Sequence, residues 1–265
     1  MKKLREVCVI IMCLAMQDLS ASPMDRDWGW AKTHDKERFA RDQKRFNDPA
    51  KLKEQFEKSF LISLYNEREM TSFTQAFGIK EEALRVLLME IIREASAKTG
   101  WQWRMTSGES EDNQIASMQL REAISWLSVC ADERTKQFLM DIAIDKTKHD
   151  IYRRRAAFTY LRCADAQEIR DALTRFFSDD MWAVVDPISG PYRAAMWEYD
   201  RAGDDTKKRE AIVTIVSAAL AKEENKNAFV FADKLLAGRS KDYAESPQRK
   251  AALQRLNIQV EDAER

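Results

Sequence analysis

In the stretch KEEALRVLLMEIIREA, Leu84, Leu87, Leu88, Ile91, Ile92 and Ala95 recur at steps of three and four residues. That period places them on one face of an α-helix, with charged positions on the other. Glu81 and Glu82 open this helix and Lys98 closes it, each sign where the helix dipole favours it, and Gly100 is a stop. Upstream, Asp48 and Pro49 make a helix start: an N-cap, then a residue suited to the first helical position. Leu52, Phe56, Phe60 and Leu64 follow at intervals of four on one side. Between Asp25 and Arg45 the charges alternate with few apolar anchors, which predicts a solvated helix or a lead-in arm. The polar, Gly-punctuated TGWQWRMTSGESEDN predicts the main internal loop.

From Gln114 onward the pattern itself repeats. LREAISWLSVCADERTKQFLMDIA is followed by YRRRAAFTYLRCADAQEIRDALTRFF, and Ala123, Ile124, Trp126 and Leu127 match Ala157, Phe158, Tyr160 and Leu161 at an offset of 34. Leu139 and Ile142 match Leu173 and Phe176 at the same offset. A third copy, YRAAMWEYDRAGDDTKKREAIVTIV, comes after a connection holding Pro187, Gly190 and Pro191; a degenerate fourth, AFVFADKLLAG, precedes a Ser246–Pro247 helix start. Cys-Ala-Asp occurs twice, at 130–132 and 163–165, and marks the corner of a helical hairpin. Small Cys and Ala let two helices approach, and Asp132 and Asp165 are placed to cap the helix that follows. Asp165 has Glu168 three residues on, the layout of a capping box, and Asp204–Asp205 serves the third copy.

YRRRAAFTYLRCAD and PYRAAMWEYDRAGDD resemble HEAT-type repeats, in which an apolar–Arg pair opens the first helix, Ala-rich packing positions follow, and a small residue with Asp ends it. Tyr152–Arg153, Ala156, Ala164 and Asp165 fit, as do Tyr192–Arg193, Ala195, Gly203 and Asp204; Leu120–Arg121 fits less well. The resemblance covers roughly residues 114–256. It implies an all-α fold, a HEAT-like α-solenoid of stacked helical hairpins, because one such hairpin cannot bury its apolar face alone. It also implies a protein-binding scaffold with no catalytic residues to carry over. The second helices would line the binding face, with Lys136, Gln137, Glu168, Arg170 and Lys208 as exposed contacts. Equivalent positions on stacked helices lie about 8–10 Å apart, too far for a disulfide, which needs Cα atoms within about 7 Å. Cys130 and Cys163 are therefore expected as buried thiols.

Composition agrees with helices: 33% of residues are charged, against seven Gly and five Pro. The net charge is zero, so no global basic field draws nucleic acid or anionic lipid. MKKLRE, the apolar VCVIIMCLAM and LSAS have the three parts of a secretory signal, with a cut after Ala21; ten apolar residues are too few for a membrane span, which needs about 20. The expected organisation is a signal peptide at 1–21, a charged arm at 22–49, an N-terminal helical cap and loop at 50–112, and repeats at 113–265. The expected location is extracytoplasmic, periplasmic or secreted, and the expected partner is a protein or a cell-envelope component.

Candidate chemistry is sparse. His34 and His149 have no second His or Cys at metal-ligand spacing, and no phosphate loop or nucleophile elbow occurs, so neither catalytic residues, a metal nor a cofactor is expected. His149 precedes Asp150, read as the N-cap of the next helix. Trp28–Gly–Trp30 and Trp101–Gln–Trp103 are paired W-x-W stretches. Each either offers an aromatic platform for a sugar or peptide, oriented at the second pair by Arg104, or pins its segment to the body. The platform makes a small-ligand or carbohydrate binder or enzyme the alternative function. Arg153–Arg154–Arg155, near Lys146, Lys148 and Arg162, reads as a solvated face, with Arg153 pairing to a corner Asp. TQAFGIKEEALRVLLMEI has a helix-turn-helix outline, but its second helix is half apolar and starts acidic, unsuited to base edges.

Overall fold

The computed structural model of the chain describes residues 32, 34–62, 67–177 and 190–259. The N-terminal cationic and apolar stretch, Trp28–Trp30, Leu64 and Pro187 lie outside them, as does the side chain of Phe60. Among the described residues the fold is all-α: thirteen α-helices, one 3₁₀ turn and no strand. The chain divides into two compact units, with the division after Thr159.

The first unit holds α1 (Lys36–Phe46), α2 (Pro49–Ile62), α3 (Glu67–Phe77), α4 (Glu81–Thr99), α5 (Glu111–Trp126) with its 3₁₀ extension Leu127–Val129, α6 (Glu133–Ile144), and most of α7 (Asp150–Cys163). The charged lead-in is anchored by two residues seven apart, Phe39 and Phe46, both buried. Phe39 stacks on Phe77 at 5.0 Å, and Phe46 meets Phe73 and Phe77 edge-on at 5.3 and 4.9 Å. Phe56 on α2 extends the cluster to Phe73 and to the buried Trp126 on α5. Such edge and offset contacts add to the area these rings bury. Lys53 on α2 ties α4 by Glu90 and Glu94 at 2.8 and 2.7 Å.

The apolar stripe of α4 is buried as its spacing predicts, from Leu84 to Ala95, and α4 packs most extensively against α5. At the Cys130 corner Asp132 caps α6, accepting from the Thr135 N–H at 2.8 Å and its hydroxyl at 2.7 Å. Arg85 of α4 clamps the same corner, donating to the Cys130 carbonyl at 2.9 Å and pairing with Asp132 at 3.4 Å.

The second unit runs from the last turn of α7 through α8 (Ala166–Phe177), α9 (Gly190–Arg201), α10 (Thr206–Leu220), α11 (Lys226–Ala237), the short α12 (Lys241–Ala244) and α13 (Pro247–Leu256). Asp165 and Glu168 form the reciprocal capping box: the Glu168 N–H donates to Asp165 at 2.9 Å, and the Asp165 N–H to Glu168 at 2.7 Å. Asp205 and Ser246 cap α10 and α13. α9 and α10 form an antiparallel hairpin. Tyr192 at its open end donates to Glu223 at 2.9 Å, and Arg209 lies over Tyr199 at 5.0 Å near the corner. α9 and α11 run side by side in the same direction: Arg193 stacks on Phe231 at 5.3 Å, and further along Asp200 is gripped by Nε and Nη2 of Arg239, each at 2.7 Å. α8 packs on α10, and α10 on α13. Cys130 is buried and Cys163 half-buried, both as thiols.

Asp233, fully buried on α11, accepts from Arg249 at 2.9 and 3.0 Å and from the Tyr243 hydroxyl at 2.8 Å. Removing one partner strands a buried charge, which costs far more than the pair is worth. Arg249→Met is expected to destabilise the second unit by about 3–5 kcal/mol, read as a lower urea midpoint with faster amide exchange in α11 and α13. A midpoint unchanged from the parent would refute this account of the triad.

Candidate functional site

The tryptophan loop is built from the end of α4. Gly100 ends the helix in the left-handed region and Trp101 follows at φ 61, so two successive residues turn the chain sharply. Left-handed geometry is natural for glycine and rare for an indole-bearing residue. Trp101 and Trp103 then straddle Tyr152 of α7, edge-on at 6.1 and 6.0 Å. Lys148 lies over the Trp101 ring at 5.0 Å and Arg121 of α5 over Trp103 at 5.8 Å. The loop is also bonded down: the His149 N–H donates to the Trp101 carbonyl at 3.1 Å and the Arg104 N–H to Ser117 at 3.0 Å. The Tyr152 hydroxyl reaches the Gln102 carbonyl at 3.4 Å, and burial pushes this phenol above its ordinary range.

Each cation around the loop has a carboxylate. Arg104 pairs with Glu109 at 3.1 Å, Arg121 with the buried Glu122 at 2.5 Å, and Lys148 with Asp145. Lys148 and the Thr147 hydroxyl and N–H hold the Asp145 carboxyl far below the usual carboxylate range. This arrangement fastens the loop and orders its rings. Among the described residues no group of three or more His, Cys, Asp or Glu is assembled to hold a metal.

The five second-helix residues do not share one environment. Gln137 and Arg170 are exposed, Gln137 donating to Asp141 at 2.7 Å. Lys136 is half-buried against Glu133 at 2.9 Å. Glu168 serves the capping box, and Lys208 extends back to the Leu161 carbonyl at 3.3 Å, so both support hairpin corners. Near Lys208, Glu198 of α9 is buried with Arg162 at 3.6 Å; burial raises its carboxyl above the usual range, against the pull of Arg162 and Lys208.

Two expectations need correcting. His149, not Asp150, is the N-cap of α7: its Nδ1 accepts from the Ile151 N–H at 3.3 Å, and Asp150 is the first helical residue. Arg153 is no part of a solvated face. It is 3% exposed, pairs with Asp150 at 3.2 Å and donates to the Ala143 carbonyl at 3.1 Å.

Sequence reasoning missed Trp197. In the third copy it stands beside the Ala-Met packing pair, as a core aromatic would, yet it is 51% exposed on α9. The available signal was its place in the 3.6-residue frame, one step off the buried Tyr192, Ala195, Met196 and Glu198.

Comparison with known protein families, curated proteins and solved structures finds no match to this chain.

His149 gives the loop a pH dependence. Burial lowers its imidazole below the ordinary value, opposed by Asp150 and assisted by Arg154, and only the neutral ring can cap α7. The unfolded chain thus binds this proton at higher pH than the folded one. The stability it supports is complete above about pH 6.5 and falls as pH drops from there through the lowered value. Relative to its intrinsic, hydroxide-catalysed rate, amide exchange at Ile151 and Tyr152 is expected to accelerate on acidification across that window, and to keep a constant ratio to it in His149→Asn, which keeps a cap without a titrating ring. An equal acceleration in the variant would place the proton elsewhere.

Proposed function

We propose that the chain is an exported, non-catalytic HEAT-like scaffold that binds a protein or cell-envelope component through one exposed helical face. The observation that carries this reading is the order of helices in the second unit. α9 and α11 run in the same direction with contacts between residues 39 and 40 apart in sequence, Asp200 to Arg239 and Tyr199 to Arg239. α10 and α13 also pack on each other, and Arg255 near the end of α13 donates to the Glu223 carbonyl just beyond α10 at 2.7 Å. First helices beside first helices, and second beside second, is the neighbour relation of stacked two-helix repeats. Such stacks present long faces suited to macromolecular partners. Export rests on the cationic, apolar and small-residue succession of residues 1–21. The tryptophan loop supports a ligand-binding alternative less, since a cation already covers each indole and Tyr152 meets both edge-on.

Affinity capture with the chain lacking residues 1–21, from the envelope of its own cell, tests the proposal. A specific component is expected to be retained, and retained equally by Trp101→Ala. Recovery of nothing above background, together with a hydrolytic activity abolished by Trp101→Ala, would replace the scaffold with an enzyme.

A further inference from the structure

We propose that the turn carrying His149 is an acid-operated latch on the tryptophan loop: protonation of its imidazole releases Trp101 from Tyr152 while Trp103 stays in place. The latch is independent of the scaffold reading.

Trp101 and Gln102 are tied to the first unit from one direction. The His149 N–H donates to the Trp101 carbonyl at 3.1 Å, Lys148 lies over the indole at 5.0 Å, and Tyr152 meets it edge-on at 6.1 Å. The Gln102 carbonyl accepts from the Tyr152 hydroxyl at 3.4 Å, and its side-chain amide donates to the Thr147 carbonyl at 3.4 Å. These partners all fall within residues 147–152, the turn and first helical residues that the His149 side chain fastens. Trp103 is held from α5 as well. Arg121 lies over it at 5.8 Å, and the N–H of the next residue, Arg104, donates to Ser117 at 3.0 Å. Loosening the turn therefore acts on Trp101 first. Trp101 also sits at φ 61, a strained conformation for a residue with a side chain, which favours its departure once those ties go.

The imidazole is the moving part. Its Nδ1 accepts from the Ile151 N–H at 3.3 Å, which only an unprotonated nitrogen can do. Protonation turns this acceptor into a donor facing another donor, and sets positive charge at the electropositive end of α7. The surrounding charges give little relief. Asp150 is the carboxylate beside the ring, and Arg153 already pairs with it at 3.2 Å. Asp145 is engaged by Lys148 and Thr147, and Glu109 of the loop by Arg104 and Asn113. Lys146, Lys148 and Arg154 are cations of the same stretch. Burial, with Arg154, lowers the imidazole below its ordinary value against the pull of Asp150. A released ring regains the ordinary value and takes up its proton at higher pH than the latched one. The latch is complete above about pH 6.5 and weakens as pH falls from there.

The test uses the full chain labelled with fluorotryptophan. The Trp101 and Trp103 fluorine resonances are identified by their loss in Trp101→Phe and Trp103→Phe, and the solvent isotope shift of each reports its exposure to water. From about pH 7.5 to about pH 5, the Trp101 fluorine is expected to gain exposure and the Trp103 fluorine to keep its own. The ratio of released to latched chain is expected to rise by at most about tenfold per pH unit, the limit for one proton. His149→Asn, which retains a cap, is expected to keep Trp101 packed throughout; His149→Ala, which has none, to leave it released throughout. His34→Gln is expected to titrate as the parent does. Unchanged far-UV circular dichroism separates release of the loop from unfolding. An unmoved Trp101 fluorine, the same transition in His149→Asn, or a Trp101 still packed in His149→Ala would overturn the inference. So would a transition lost in His34→Gln, or both fluorines moving together with loss of helix.

Discussion

Every α-helix ends with carbonyls that have no partner inside the helix. This chain must end thirteen described helices with seven glycines in all, so left-handed glycine caps serve only a few of them. Backbone N–H groups just past the helices serve others, as at Asn47, Ala221 and Asn257, and cationic side chains serve several more. Arg104 donates to the Thr99 carbonyl at the end of α4, Arg85 to Cys130 after α5, and Arg153 to Ala143 in α6. In the second unit Lys208 donates to Leu161 in α7, Arg255 to Glu223 beyond α10, and Arg249 to Ala244 of α12. Each bond places positive charge where the helix dipole is negative. Most donors come from a different helix or loop, so satisfying a helix end and fixing a tertiary contact are one event.

That coupling explains why the hairpin corners carry the chain's clearest local signals. A corner brings a C-terminus and an N-terminus together, with opposite electrostatic demands a few residues apart. Asp132 meets the second demand and Arg85 the first, and their own ion pair at 3.4 Å joins the two solutions. The tryptophan loop follows the same logic with aromatic weight added. Arg104 closes α4 while its N–H fixes the loop to Ser117 on α5, and His149 caps α7 while its N–H holds Trp101. Lengthening any one of these bonds loosens a helix end and a contact between elements together.

Local grammar was legible in the sequence. The α4 stripe, the Asp48–Pro49 and Ser246–Pro247 starts, the Asp132 and Asp165 caps and the box at Glu168 depend on neighbours within one turn, and each is where its spacing put it. What escaped depends on partners far along the chain. Two phenylalanines in a charged segment look too few to anchor a helix until Phe73 and Phe77 receive them. Lys208 resembles a surface contact until the Leu161 carbonyl, 47 residues earlier, claims its ammonium. His149 and Asp150 are both plausible caps by type, and the backbone's entry into α7 decides between them.

The same distribution of cations separates structural charge from available charge. A guanidinium committed to a carbonyl and a carboxylate is held by geometry on two sides, as Arg85 and Arg249 are, and moving it costs the fold. Asp233 and Arg249 also fix how α11 and α13 meet, because a mispaired register would leave a charge buried without its partner. Arg193 is placed differently. Its guanidinium carbon lies over the Phe231 ring, 5.3 Å from the centroid. What each guanidinium touches, a helix end and a carboxylate or an aromatic face, thus decides how much of the fold moves with it.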